Sequence, residues 1–177
     1  MFRKQDFSNL NLQDALDLAI IIEEEAKERY EEFARQIGSS YTGDAGNFFV
    51  TMAENEAKHC LELSNQRKKL FGLNPVVVNR FMIDEIRDVE APDYDTVRSF
   101  MSPKKALEVA LASEIKAYNF YEKVLKELRN TEVKKLFIEL KEEEMHHQNL
   151  VKALIEKISG DLNPEVDPED VDEPSGL

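Results

Sequence analysis

Apolar residues recur every three or four positions along most of this chain, a spacing typical of amphipathic α-helices. The pattern predicts a first helix over residues 11–37. A second helix follows a Gly- and Ser-containing break and stops near Gly72. Ser102 and Pro103 suit the N-cap and first turn of a third helix. A fourth helix is predicted over residues 132–158.

The connections between these helices differ in length. Short links join the first helix to the second and the third to the fourth, so each pair should form an antiparallel hairpin. Residues 75–101 show no sustained periodicity, and at about 3.3 Å per residue they can run the length of a bundle. The sequence therefore predicts an all-α fold, a ferritin-like four-helix bundle of two antiparallel helical hairpins joined by a long crossover.

The composition changes near the end of the fourth helix. Residues 159–177 are rich in proline, glycine and acidic side chains, and they cannot bury enough apolar surface to offset the entropy lost on ordering. We therefore expect one bundle domain over residues 1–158, followed by a flexible acidic tail over residues 159–177.

Charge and composition exclude several classes of function. A net charge of −13 disfavours binding to nucleic acid and to an anionic membrane surface. No apolar stretch reaches the length of a membrane span or of a signal peptide. The single cysteine excludes a disulfide framework and a paired-cysteine metal site. We expect a cytoplasmic protein that binds neither nucleic acid nor membrane.

Two repeated motifs place six polar residues on otherwise apolar helical stripes. The pattern Leu-x2-Ala-x3-Glu-x2-Ala-x3-Tyr occurs twice, with its copies 91 residues apart. The pattern Phe-x2-(Met/Leu)-x3-Glu-x2-His also occurs twice, with its copies 88 residues apart. The six residues are Glu23, Glu56, His59, Glu114, Glu144 and His147. Any one of them alone is more often a structural residue, but their agreement across both repeats indicates a metal site.

The spacing of these residues suits the binding of two metal ions. Residues three apart share one face of a helix, so the carboxylate and imidazole of each Glu-x-x-His point the same way. A Glu from each of two helices plus Glu-x-x-His from each of two others is the ligand set of a two-metal carboxylate site. Two divalent cations would balance four carboxylates, whose unpaired burial is costly. These donors suit iron or manganese and tolerate zinc.

The fourth helix offers two alternative Glu-x-x-His pairs, because Glu143 and His146 have the same spacing as Glu144 and His147. We favour Glu144 and His147, since the apolar residues that precede Glu144 reproduce those that precede Glu56. Glu143 and His146 lie nearer the edge of the stripe.

Tyr30 and Tyr121 lie two turns beyond the glutamates of their motifs. They are either ordinary core aromatics or hydrogen-bond donors to the ligand carboxylates. The sequence does not distinguish these two roles.

Over roughly residues 12–158, these motifs resemble those of rubrerythrin-type members of the ferritin-like superfamily. The resemblance implies a carboxylate-bridged centre of two iron ions, in which Glu56 and Glu144 bridge the metals. The terminal ligands would be Glu23, Glu114, His59 and His147. Related proteins reduce hydrogen peroxide with electrons from a redox partner, or oxidise ferrous iron.

The chain departs from that family's pattern in two respects. Rubrerythrins have an additional ligand Glu one turn after the third-helix Glu, where this chain has Ala117. Rubrerythrins also end in a rubredoxin domain with paired Cys-x-x-Cys motifs, which this sequence lacks. The chain therefore resembles a stand-alone rubrerythrin-like domain that needs an external electron donor.

Three functions stay open at this point. The leading hypothesis is a diiron-carboxylate oxidoreductase that acts on hydrogen peroxide or dioxygen. The alternatives are a ferroxidase or iron-handling protein, and a helical module with structural metal and no turnover. We also expect a homodimer, in which the long crossover permits exchange of hairpins between chains.

Overall fold

A computed structural model describes residues 7–38, 44–73 and 102–161, and within these ranges the chain is almost entirely α-helical. The elements, in chain order, are a short 3₁₀ turn at Phe7–Asn9, α1 at Leu12–Gly38, α2 at Asp44–Phe71, α3 at Pro103–Glu127 and α4 at Thr131–Asp161. No helix in these ranges is long and apolar enough to cross a membrane. The predicted all-α four-helix bundle is confirmed.

Local sequence explains where the helices begin and end. Asn11, Ser102 and Asn130 lie just before α1, α3 and α4, and each side-chain oxygen accepts a first-turn backbone N–H, at 2.8, 3.2 and 2.9 Å. At the end of α2, Gly72 adopts a left-handed conformation with φ of 69°. Its N–H donates to the carbonyl oxygen of Lys68 at 2.9 Å. Only a residue without a Cβ takes this conformation at little cost.

The end of the fourth helix differs from the prediction. We expected α4 to stop at residue 158, but it continues to Asp161, so the first three residues of the predicted tail are helical. Each residue added to a formed helix gains a backbone hydrogen bond, and weak helix formers near its end do not stop it at once. Residues 75–101 and 162–177, where the crossover and the rest of the tail were predicted, lie outside the described residues.

The helices pack as two hairpins, α1 with α2 and α3 with α4. One apolar cluster joins the N-terminal halves of α1 and α4 to the C-terminal halves of α2 and α3. A second cluster joins the opposite halves of the same helices. The helices of each hairpin are therefore antiparallel, whereas α2 and α3 run in the same direction. The end of α2 and the start of α3 consequently lie at opposite ends of the bundle.

The repeated motifs form the interior of the bundle. Their apolar members are at most 2% exposed, as the helical periodicity predicts. The first cluster is centred on residues such as Leu16, Tyr121 and Phe137, and the second on residues such as Phe33 and Phe49. The two apolar clusters leave a layer at mid-height of the bundle, and the polar members of the motifs occupy it.

A buried ion pair connects α1 to α2. Arg67 Nε donates to Asp17 Oδ1 at 2.8 Å, and Arg67 Nη2 donates to Asp17 Oδ2 at 3.4 Å. Arg67 Nη1 also donates to the carbonyl oxygen of Gly72 at 3.0 Å. Both charged side chains are buried, and the guanidinium is thereby bonded to a carboxylate and to the turn that ends α2.

Replacement of Asp17 by alanine should destabilise the fold strongly, because Arg67 would remain buried without its carboxylate. We expect the free energy of unfolding to fall by about 3–5 kcal/mol, measured by urea denaturation. The matched control is Glu31→Ala, which removes the exposed pair of Glu31 with Lys27. This control should change the free energy of unfolding by less than about 0.5 kcal/mol. Equal effects of the two substitutions would contradict the structural role of the buried pair.

Candidate metal centre

The six residues singled out by the repeated motifs meet in the polar layer between the two apolar clusters. One comes from α1, two from α2, one from α3 and two from α4: Glu23, Glu56, His59, Glu114, Glu144 and His147. The four carboxylates are at most 2% exposed and His147 is 3% exposed. His59 is the most accessible of the six, with 17% of its side chain exposed. The centre is therefore buried and meets solvent mainly beside His59.

The two histidines define two neighbouring positions joined by one carboxylate. His59 Nδ1 lies 3.7 Å from Glu23 Oε2 and 3.5 Å from Glu56 Oε2. His147 Nδ1 lies 3.4 Å from Glu56 Oε1 and 3.4 Å from Glu114 Oε2. The imidazole rings are nearly parallel, with centroids 5.6 Å apart. Glu56 thus presents one oxygen to each histidine.

The donor atoms form three overlapping groups, within each of which all atoms lie within 4.8 Å of one another. The groups are Glu114, Glu144 and His147; Glu23, His59 and Glu143; and Glu56, His59 and His147. The third group shares a histidine with each of the others. The arrangement therefore has two donor sets, with Glu56 between them.

The structure separates the two alternative Glu-x-x-His pairs of α4. Glu144 and His147 face the interior, whereas His146 is exposed. Glu143 is partly exposed, yet its Oε2 lies 3.9 Å from His59 Nδ1. Sequence reasoning placed Glu143 at the edge of the stripe and did not include it in the site. Its approach to His59 depends on how α4 packs beside α2, which the periodicity of α4 alone does not specify.

A second polar contact near the centre also had no signal in the sequence. Gln148 is buried, and its Nε2 donates to the backbone carbonyl oxygen of Glu114 at 3.3 Å. This hydrogen bond connects α4 to α3 at the level of the metal-site residues. It gives the buried side-chain amide of Gln148 a hydrogen-bond partner. It also connects the two helices that carry Glu114, Glu144 and His147.

Burial and mutual contact shift the pKa values of the site residues. Loss of hydration on burial raises the pKa of Glu23 to about 8. Contact with Glu23, and then with Glu56, raises the pKa of His59 to about 10. Burial works to raise the pKa of Glu56, but contact with His59 and the charge of His147 outweigh it and lower the pKa. Protonated imidazole thus balances part of the carboxylate charge when no cation is bound.

The pKa of His147 is also set by opposing effects of burial and of contact with carboxylates. Its burial works to lower the pKa of the imidazole, but contact with Glu114 and the charge of Glu56 raise the pKa overall. The carboxylates around both histidines therefore favour a positive charge at these positions. A metal cation would meet the same electrostatic demand with more charge.

The buried donor atoms fit a pair of cations. Seven of them have no hydrogen-bond partner among the residues that the structure describes: Glu23 Oε2, both carboxylate oxygens of Glu56 and of Glu114, and Nδ1 of His59 and of His147. Buried polar atoms in folded proteins are nearly always paired, so such a set indicates a missing partner. Carboxylate and imidazole donors without thiolate suit iron or manganese and tolerate zinc.

The two motif tyrosines are core aromatics in this structure. The Tyr30 ring stacks on Phe49, with centroids 6.1 Å apart, and the Tyr121 ring lies edge-on to Phe137 at 5.5 Å. Both tyrosines are at most 2% exposed. The Tyr30 hydroxyl has no hydrogen-bond partner in the described part of the chain. Among the described residues the Tyr30 hydroxyl thus makes no hydrogen bond to a ligand carboxylate, and such a bond from the Tyr121 hydroxyl stays a prediction.

The chain was also compared with protein families and with solved structures. The rubrerythrin family model matches residues 14–82 and 105–174, which contain all six residues of the centre. An uncharacterized conserved protein from Magnetospirillum magnetotacticum MS-1 has a similar crystal structure, with a TM-score of 0.67 and 27% sequence identity. That similarity covers 83% of this chain and 95% of the other. No match was found among the curated proteins. The matched segments make up most of the sequence, and this chain belongs to the rubrerythrin family.

Proposed function

We propose that this chain binds two iron ions and is a diiron-carboxylate oxidoreductase that reduces hydrogen peroxide or dioxygen with electrons from an external donor. The observation that carries the proposal is the position of Glu56. Its two oxygens face His59 and His147 separately, at 3.5 and 3.4 Å. A carboxylate so placed between two donor sets is suited to bridge two cations.

The other ligand roles follow from the groups around each histidine. Glu23 lies on the His59 side, and Glu114 lies on the His147 side, which suits each as a terminal ligand. Glu144 groups with Glu114 and His147. Its expected role as the second bridge would require its side chain to turn toward His59 when metal binds, and this role stays part of the proposal.

The residue one turn after Glu114 on α3 does not supply a metal ligand. This residue is Ala117, which is fully buried in the first apolar cluster. It contributes no oxygen to the centre. A ligand exchange based on a Glu at this position is therefore not part of the proposed mechanism.

The surroundings suit redox chemistry at a shielded centre. The apolar clusters above and below the polar layer exclude water, and electrostatic interactions are stronger in such a medium. Four ionised carboxylates and two divalent cations together have no net charge, so the loaded centre is compatible with burial. When bound, two ferrous ions can supply the two electrons that, with two protons, reduce one hydrogen peroxide to two waters.

One observation favours ferroxidase or iron handling as a second candidate function. A small cavity of about 110 Å³ lies beside His59, between α2 and α4. Three carboxylates are among its lining residues, those of Glu62, Glu139 and Glu143. An acidic cavity attracts cations, and it would suit the repeated entry of ferrous iron.

Reaction with peroxide tests the leading proposal. Protein loaded anaerobically with ferrous iron should contain two irons per chain, and on stopped-flow mixing with hydrogen peroxide it should oxidise faster than ferrous iron in buffer. Oxidation no faster than in buffer would remove the catalytic claim. Oxidation of many irons per chain would favour the ferroxidase. Tightly held, redox-silent zinc whose removal unfolds the protein would favour a structural metal.

Metal binding should stabilise the fold through Glu56. A ligand present at 100 times its Kd adds about 2.7 kcal/mol to the free energy of unfolding. We expect the wild-type protein to gain about this much with Mn²⁺, measured by thermal denaturation with and without metal. Glu56→Gln should lose most of this gain, because one oxygen of the bridge becomes an amide nitrogen.

The matched control for this measurement is Glu54→Gln, which removes the same formal charge from an exposed position on α2. It should retain the full metal-dependent gain. An equal gain in the wild type and in both variants would contradict the proposed role of Glu56.

The homodimer, the exchange of hairpins, the external electron donor and the cytoplasmic location stay predictions. Light scattering on purified protein measures the first of these directly. A mass equal to that of one chain across micromolar concentrations would contradict the expected dimer.

A further inference from the structure

Among the described residues, Glu143 lies on the His59 side of the centre, where the centre is most exposed to solvent. Its side chain is 41% exposed, but its Oε2 lies 3.9 Å from the Nδ1 of His59. The same histidine nitrogen lies 3.7 Å from Glu23 Oε2, on the opposite hairpin. The donor atoms of Glu23, His59 and Glu143 all lie within 4.8 Å of one another.

We propose that Glu143 is a seventh metal ligand, which binds the cation on the His59 side from the solvent-facing side of the bundle. This inference rests on the proposed function, because it assumes that the centre binds two metal ions. It adds a ligand that neither the repeated motifs nor the resemblance to rubrerythrins includes.

The distances are those expected of ligands around one cation rather than of hydrogen bonds. Separations of 3.7 and 3.9 Å are too long for direct hydrogen bonds. Two donors that each lie about 2.1 Å from one metal are separated by about 3 Å at a right angle and about 4.2 Å when opposite. The separations of His59 Nδ1 from Glu23 Oε2 and from Glu143 Oε2 both fall within that range. All three donor atoms lie within 4.8 Å of one another, so a single cation can contact them after small side-chain movements.

A buried, unpaired oxygen supports a ligand at this position. Glu23 is 1% exposed, and its Oε2 has no hydrogen-bond partner among the described residues. That oxygen faces His59, whose Nδ1 is likewise without a hydrogen-bond partner in the described ranges. Glu143 completes this group from the other hairpin. The group therefore contains two buried donor atoms, Glu23 Oε2 and His59 Nδ1, that no described residue satisfies by hydrogen bonding.

The internal repeat shows that this feature belongs to one half of the centre. Glu143 directly precedes the Glu of its Glu-x-x-His motif, and the equivalent residue in the other copy is Asn55. Asn55 is neutral, so the copy of the motif on α2 has no equivalent carboxylate. The two metal positions are consequently unequal, with the extra acidic ligand on the His59 side alone.

The cavity beside His59 provides a path to this ligand. It lies between α2 and α4, and both His59 and Glu143 line it. Glu143 is thus accessible to an ion from solvent while its carboxylate is already near His59. We infer that Glu143 controls loading of the His59 position, whereas the buried set around His147 loads independently of it.

Anaerobic titration of the metal-free, full-length protein with Co²⁺ tests this inference. Binding is followed by calorimetry and by the visible absorption of bound Co²⁺, which reports coordination geometry. The wild type should bind two ions per chain. Glu143→Gln should weaken one of the two binding steps about tenfold or more and change the absorption of that ion, since loss of even a supporting partner costs 10- to 100-fold.

Two control variants separate ligation from general charge. Glu142→Gln removes the same charge from the adjacent, exposed residue, and Glu139→Gln removes it from another residue that lines the cavity. Both should bind two ions with affinities within about twofold of the wild type. Because Glu143 is partly exposed and on a helix surface, its substitution by glutamine should leave the helical circular dichroism unchanged.

Each outcome bears on one claim. Unchanged affinity and absorption in Glu143→Gln would overturn the seventh ligand and leave the two-metal centre in place. An equal loss in Glu142→Gln or Glu139→Gln would also overturn it, because the effect would then be one of general charge. Failure of the wild-type protein to bind two ions would overturn the proposed function itself.

Discussion

The burial of four carboxylates at mid-height of a helical bundle is the constraint on which the rest of this structure depends. Carboxylates removed from water and from hydrogen-bond donors are costly, and they persist only with a compensating positive charge. Glu23, Glu56 and Glu114 each lie 3.4 to 3.7 Å from the imidazole of His59 or His147. This electrostatic demand favours a positive charge at the centre.

The fold separates the source of its stability from the site of its chemistry. Apolar side chains fill both halves of the bundle and supply the hydrophobic free energy of folding. The ion pair of Asp17 with Arg67 lies near one end, away from the polar layer, and fixes the end of α2. The polar layer between the clusters can therefore contain buried carboxylates, which by themselves destabilise the folded protein. Such placement of unfavourable charge is characteristic of functional sites.

The internal repeat produces a centre that is almost, but not fully, symmetric. Each hairpin supplies one Glu and one Glu-x-x-His, and Glu56 faces both histidines. The symmetry fails where Glu143 lies opposite Asn55 in the repeat, and His59 is the histidine with the greater exposure. The more exposed histidine and the additional carboxylate of Glu143 thus lie on the same side of the centre. If the centre binds two metal ions as proposed, this difference would let the ion on the His59 side bind or exchange ligands while the ion on the His147 side stays enclosed.

Local sequence was enough to predict the helices, the two hairpins and the six polar stripe residues, because helical periodicity and capping depend on residues close together in the chain. The structure buries the helical stripes as expected, and Glu144 rather than Glu143 faces the interior. Tertiary structure alone decided the pairing of Asp17 with Arg67 and the approach of Glu143 to His59. Both contacts join different helices, and the rotation and offset of one helix against another are set by packing of the whole core, not by the spacing of residues along either helix.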